Sequence, residues 1–306
     1  MLNTMTINPF INQIIFNIND LLSNKDIDQK ICDYLYLVAI GLVLKYGNDI
    51  EQDVYSIFKK IRIETKYNKI VKIAKEADKE DLFSDDKVKI YTFYKDNEYI
   101  ICIKDDIKFE GINFLELLVK EFNQILNSIN NTDLYEDGCK IKRSGLCQEY
   151  LHDNKTIKIE GNIINEVFNI LESEDIVKLI FGLREYNVDC DNIRKILIKF
   201  KIVDLDLYTF TGSNVLVNIF RRLYNIDEFK SMITDVLLNG NVNELKDSID
   251  QTLGFDAYKI LDYNLTEAYI NFEESKVSNL KVYDYALRHC LLRNMINLYI
   301  KKNYEK

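Results

Sequence analysis

Apolar positions along this chain recur with two different periods, and the changes between them set out its organisation. Residues 9–24 and 26–46 repeat at helical spacing, which predicts two amphipathic or buried helices. Pro9, the single proline, is placed to open the first without breaking it. Asp26 and Asp28 put acidic character near the start of the second, and Gly47 stands where a C-terminal stop belongs. Two further helices are expected near 51–63 and 67–77, followed by an acidic, solvated connector over 76–86.

The period then falls to two. Residues 87–94 alternate in strand fashion and residues 98–104 repeat the pattern, with Lys95-Asp96-Asn97 between them as a hairpin turn. Gly111 precedes a helix over 112–129, whose apolar residues Phe114, Leu115, Leu118, Phe122, Ile125 and Leu126 cover a broad buried face. Two extended pieces are expected around 140–150 and 156–159, and everything from Gly161 onward reads helical. The expected fold class is α+β, predominantly helical, with a small central sheet. Its regions are an N-terminal helical part (1–80), an α+β core (81–183) and a helical C-terminal part (184–306), packed as one compact unit.

Composition narrows the function classes. Lys and Arg total 40 against 49 Asp and Glu, a formal charge of −9, which argues against broad binding to a phosphate backbone, so no nucleic-acid partner is expected. The basic, tyrosine-interleaved stretch 281–306 is better explained by cations complementing a helix C-terminus. Six cysteines are scattered with no C-x-x-C pair, so reduced thiols are expected rather than a disulfide frame or zinc ribbon. The longest apolar run, 34–44, is short of the ~20 residues of a membrane helix. The opening residues lack the features of a secretory signal, and the expectation is a cytoplasmic protein without membrane contact.

The candidate chemistry lies in Phe114-Leu-Glu-Leu-Leu-Val-Lys120-Glu121-Phe-Asn-Gln124. In an intact H-E-x-x-H helix, two histidines one turn apart grip zinc and the glutamate activates a water. Here Lys120 and Gln124 stand at the histidine positions and only Glu121 is kept. A hairpin precedes the segment, and Gly161-Asn-Ile-Ile-Asn165-Glu166 opens a later helix. In this order the chain resembles zincin-like metallopeptidases of the gluzincin type, over roughly residues 87–250. Tyr186, residues 193–200 and residues 206–212 resemble the helical tail of uncharacterised bacterial proteins of that kind. The resemblance implies zincin-like helices about the sheet, Glu121 as the vestigial general base and Glu166 as the third ligand. Asn169 departs from the family's Asn-Glu-x-x-Thr-Glu pattern.

Lysine carries a positive charge and no lone pair near neutral pH, and glutamine is a poor zinc ligand beside imidazole. The expectation is therefore no cofactor, with zinc as a lesser alternative, and a Lys120–Glu166 ion pair in the metal's place. The implied role is non-catalytic: binding of a peptide or protein partner, or scaffolding. The alternatives are an active hydrolase with ligands outside the motif, and an unrelated helical interaction module. No G-x-S-x-G elbow, G-x-x-x-x-G-K or G-x-G-x-x-G loop occurs. His152, His289 and a Cys147–His152 pair are better read as structural or exposed residues than as a site.

Overall fold

The computed structural model describes residues 4–47, 50–76, 90–104, 111–129, 134–136, 139–153, 155–183, 242–253, 256, 258, 259 and 262. Helices α1 (Thr4–Leu22), α2 (Gln29–Tyr46) and α3 (Glu51–Lys60) lead into strand β1 (Ile61–Glu64) and helix α4 (Tyr67–Glu76). Strands β2 (Ile90–Lys95) and β3 (Glu98–Ile103) follow, then helix α5 (Gly111–Ile129). Strands β4 (Leu134–Glu136), β5 (Cys139–Ser144), β6 (Cys147–His152) and β7 (Lys155–Glu160) precede α6 (Asn162–Gly182), and α7 spans Val242–Leu253. The class is α+β with helix predominant. No described helix is long and apolar enough to cross a membrane.

Two compact units arise by chain return: Met1–Leu126 with Glu172–Thr211, and Asn127–Leu171 with Gly212–Lys306. Each draws on both α5 and α6. The expected boundaries near 80 and 183 adjoin or fall in segments outside the described residues.

In the first unit α2 is the central helix, buried from Ile31 to Val43 except at Asp33 and Tyr36. A helix apolar on nearly every side belongs inside, whatever its amphipathicity. Asp28 caps its start, its side chain accepting from the Lys30 N–H at 2.7 Å, and the Gly47 N–H closes its end on the Val43 carbonyl. Gly47 has φ +89°, a conformation that glycine adopts without strain. Tyr34 meets Phe114 edge-on with ring centres 4.8 Å apart, and Phe58 meets Phe122 at 4.9 Å, so α2 and α3 both share the apolar face of α5. Gly41 lets the C-terminal half of α6 approach: an added Cβ would stand 2.7 Å from Ile176 and Ile180 side-chain carbons.

The sheet of this unit runs β1-β3-β2, with β1 parallel and β2 antiparallel to β3. Asp96 and Asn97, both at positive φ, make a two-residue turn, and Lys95, expected within the turn, instead ends β2 paired with Glu98. Ile70, Ile73 and Ala74 of α4 pack on Phe93, Ile100 and Cys102 of the sheet.

The second unit carries an antiparallel four-stranded meander, β4-β5-β6-β7. Its β5–β6 turn is pinned from two sides. The Gly145 N–H donates to the Asn127 carbonyl at 3.2 Å, and the Leu146 N–H donates to Asn165 Oδ1 at 2.9 Å.

Three expectations need correction. Pro9 lies inside α1 rather than at its opening. The helix expected to reach residue 63 ends at Lys60, because Ile61–Glu64 pairs with Tyr99–Cys102 as a parallel strand. The extended piece expected at 140–150 is two strands, β5 and β6, while 156–159 lies within β7 as expected; with β4 they form a sheet separate from the first. Most of the region read as helical beyond residue 183 lies outside the described residues.

Candidate functional site

Helix α5 carries three of the four residues singled out from the sequence, Lys120, Glu121 and Gln124. Lys120 and Gln124 are one turn apart and so share a helix face; Lys120 is half-buried and Gln124 is exposed. Glu121, also half-buried, turns toward the sheet, and its Oε2 accepts a 2.6 Å hydrogen bond from the Thr92 hydroxyl of β2. Burial pushes the neighbouring Tyr91 phenol above its ordinary value, and the Glu121 charge adds to the shift. The carboxylate therefore serves as an acceptor tying helix to strand. Thr92→Val removes the donor and keeps the volume, so a loss of about 1–2 kcal/mol is expected. An unchanged urea midpoint would show that the tie carries no stability.

Glu166 lies in the first turns of α6, but its side chain lies outside the described residues, and so does the expected Lys120–Glu166 pair. Its motif neighbours are clear. Asn165 is committed to the β5–β6 turn, and Asn169 is buried with its Oδ1 accepting from Asn127 Nδ2 at 3.0 Å. A buried amide–amide bond gives asparagine a structural reason to occupy that position.

The histidine and cysteine readings can be placed as well. His152 is exposed, with Nδ1 3.3 Å from Asp153 Oδ2. Cys147 pairs with Ser144 at one end of β6 and His152 with Lys155 at the other, a separation of roughly 17 Å along an extended strand. Burial, followed by Asp262 and Glu149, pushes the Cys147 thiol up to about 11, so it stays protonated near neutral pH. These two residues form no nucleophile–base pair. His289, Arg221, Arg222, Tyr186 and residues 193–212 and 281–306 lie outside the described residues.

Sequence reasoning missed a buried polar cluster in the first unit. Lys45, near the end of α2, places Nζ 3.2 Å from Glu172 Oε2 and 3.1 Å from Asp175 Oδ2. The adjacent Tyr46 hydroxyl donates to Asn123 Oδ1 and meets the Glu172 carboxylate. Burial raises the Glu172 carboxyl above its usual range while Lys45 opposes the rise; burial and Glu172 hold the Tyr46 phenol well above its ordinary value. The signal for this cluster was present: acidic Glu172, Glu174 and Asp175 interrupt an apolar helix, and Lys45-Tyr46 ends another. Its partners are long-range, which periodicity does not reveal.

No family model matches the chain, and neither a curated protein nor a solved structure matches it.

Proposed function

We propose that this chain is a non-catalytic binding protein that takes up an extended segment of a partner protein along the outer edge of β2. Its frame would be metallopeptidase-like, with the metal-binding positions of the motif given over to Lys120 and Gln124. The observation that carries the reading is the Thr92–Glu121 bond. It engages the residue that would activate water as a brace between α5 and the edge strand.

Among the described residues β2 is the last strand on its side of the sheet. Such an edge offers backbone donors and acceptors to an incoming strand, a binding mode that requires no metal. Tyr94, exposed on β2 with its ring 4.8 Å from that of Tyr99, supplies an aromatic contact for alternate side chains of the segment. A hydrolase with ligands outside the motif would have to draw them from elsewhere: among the described residues no group of three His, Cys, Asp or Glu is placed to hold a metal ion.

Selection from an unstructured peptide library, followed by hydrogen exchange on the complex, tests this. Selected peptides should slow exchange of the β2 amides. Tyr94→Lys, which puts a charge on the edge, should abolish binding, while Tyr67→Lys at an exposed tyrosine of α4 should leave it intact. Protection confined to other elements, or equal loss in both variants, would reject the edge-strand mode.

A further inference from the structure

We propose, building on the edge-strand reading, that the segment taken up along β2 carries an aromatic or apolar residue immediately beside an aspartate or glutamate. Successive residues of a strand point to opposite faces of the sheet, and β2 ends on two different chemistries. Tyr94 shares its face with Thr92, whose hydroxyl is bonded to Glu121 of α5. It is 61% exposed and lies against Tyr99, and its hydroxyl donates to Asn97 Oδ1 at 3.0 Å. The polar end of the ring is thus engaged, which leaves the ring itself for an apolar contact. Lys95 shares the other face with Phe93, which packs among Ile70, Ile73 and Ala74 of α4. The Lys95 ammonium meets the Glu76 carboxylate at the end of that helix.

Glu76 does not cancel the positive charge there. Lys72 Nζ also stands 3.9 Å from its Oε1, and Lys75 is exposed in the same last turn. Glu98, directly across from Lys95 on β3, is answered by Arg62 at 3.9 Å. With Asp96 in the turn, four cations (Arg62, Lys72, Lys75, Lys95) stand against three acids (Glu76, Asp96, Glu98), in a chain whose formal charge is −9. The end of β2 therefore has the opposite sign to the chain as a whole. A carboxylate on the incoming strand beside Lys95 is favoured there and an ammonium is disfavoured, while a ring or branched side chain is favoured beside Tyr94. Because the faces alternate, the two preferences fall on adjacent residues of the segment, whichever way it runs. Separated by one residue, they would share a face, and only one could be met.

Fluorescence anisotropy of labelled threonine–valine host peptides, titrated with the intact chain, tests the pairing. One peptide carries Phe-Glu, a second Phe-Lys and a third Phe-Thr-Glu. The first should bind about fivefold more tightly than either of the others. Lys95→Gln removes the charge from a partly exposed side chain, and it should erase most of the preference for glutamate over lysine. The preference should also fade as salt is raised, a readout that decides the matter if the variant does not fold. Hydrogen exchange at the β2 amides separates this proposal from the reading it builds on. Protection of β2 by all three peptides with equal affinity would keep the edge-strand mode and overturn the pairing. Binding without protection of β2, or no binding at all, would overturn both. A preference unchanged in folded Lys95→Gln, or unchanged by salt, would overturn the pairing alone.

Discussion

Gly161→Ala is expected to cost more than about 4 kcal/mol, enough to unfold the second unit at ordinary temperature. Two effects add. Gly161 has φ +72°, a conformation that costs an L-residue about 1–2 kcal/mol. The larger effect is steric: the new Cβ would stand 2.3 Å from the Leu146 carbonyl oxygen, 3.1 Å from its carbon and 2.7 Å from the Tyr258 hydroxyl. Neither side can yield cheaply. Leu146 is held through its N–H by Asn165 and follows Gly145, itself bonded to Asn127, while the Gly161 N–H is held by Asp262. Gly111 provides the control, with φ +80° and no atom of the described residues within 4 Å of a new Cβ, so Gly111→Ala should lose only the conformational part. Urea midpoints for the two variants separate the terms. Equal losses would show that the contact with Leu146 gives way.

Lys45→Ala is the second large effect, expected at about 3–5 kcal/mol near neutral pH, because it strands the Glu172 carboxylate inside the first unit. The side chains of Lys45 and Glu172 are 13% and 1% exposed, so water can do little to replace the lost partner. The pH dependence has a definite sign. Burial raises the Glu172 carboxyl above its unfolded value even with Lys45 present, so the folded chain holds the proton more tightly than the unfolded one. The stability from this group is therefore fully present below the unfolded pKa, and it is lost as pH rises through the folded pKa. Without Lys45 the carboxyl rises further, so the deficit of Lys45→Ala should shrink toward acid pH and deepen above it. Adding Glu172→Gln to Lys45→Ala should recover much of the loss. A deficit independent of pH, or no recovery in the double variant, would show that packing rather than charge is responsible.

What was legible in the sequence follows from how local each signal is. Helix α2 was readable because its cap Asp28 and its stop Gly47 lie in the same stretch as its apolar residues. The β2–β3 hairpin was readable because two alternating runs flank a turn that tolerates positive φ. Strand β1 was not: Val54, Ile57, Phe58 and Ile61 sit at helical spacing, so the pattern runs through the break at Lys60. Only its pairing with β3, thirty-odd residues away, makes it a strand. The same limit hid the Lys45–Glu172–Asp175 cluster and the Gly161–Asp262 bond, whose partners are distant in sequence. On α5 the sequence singled out Glu121 beside Lys120 and Gln124, but it gave no sign that Thr92 engages the carboxylate.

The central proposal is an H-E-x-x-H-like frame with its metal positions replaced, and zinc titration into the intact chain and into a chain carrying both histidines tests it most directly. The parent chain should take up no zinc. Lys120→His combined with Gln124→His, one helical turn apart on α5, should create a saturable zinc site. Stoichiometric zinc in the parent, or a folded double variant with no affinity for zinc, would contradict the account.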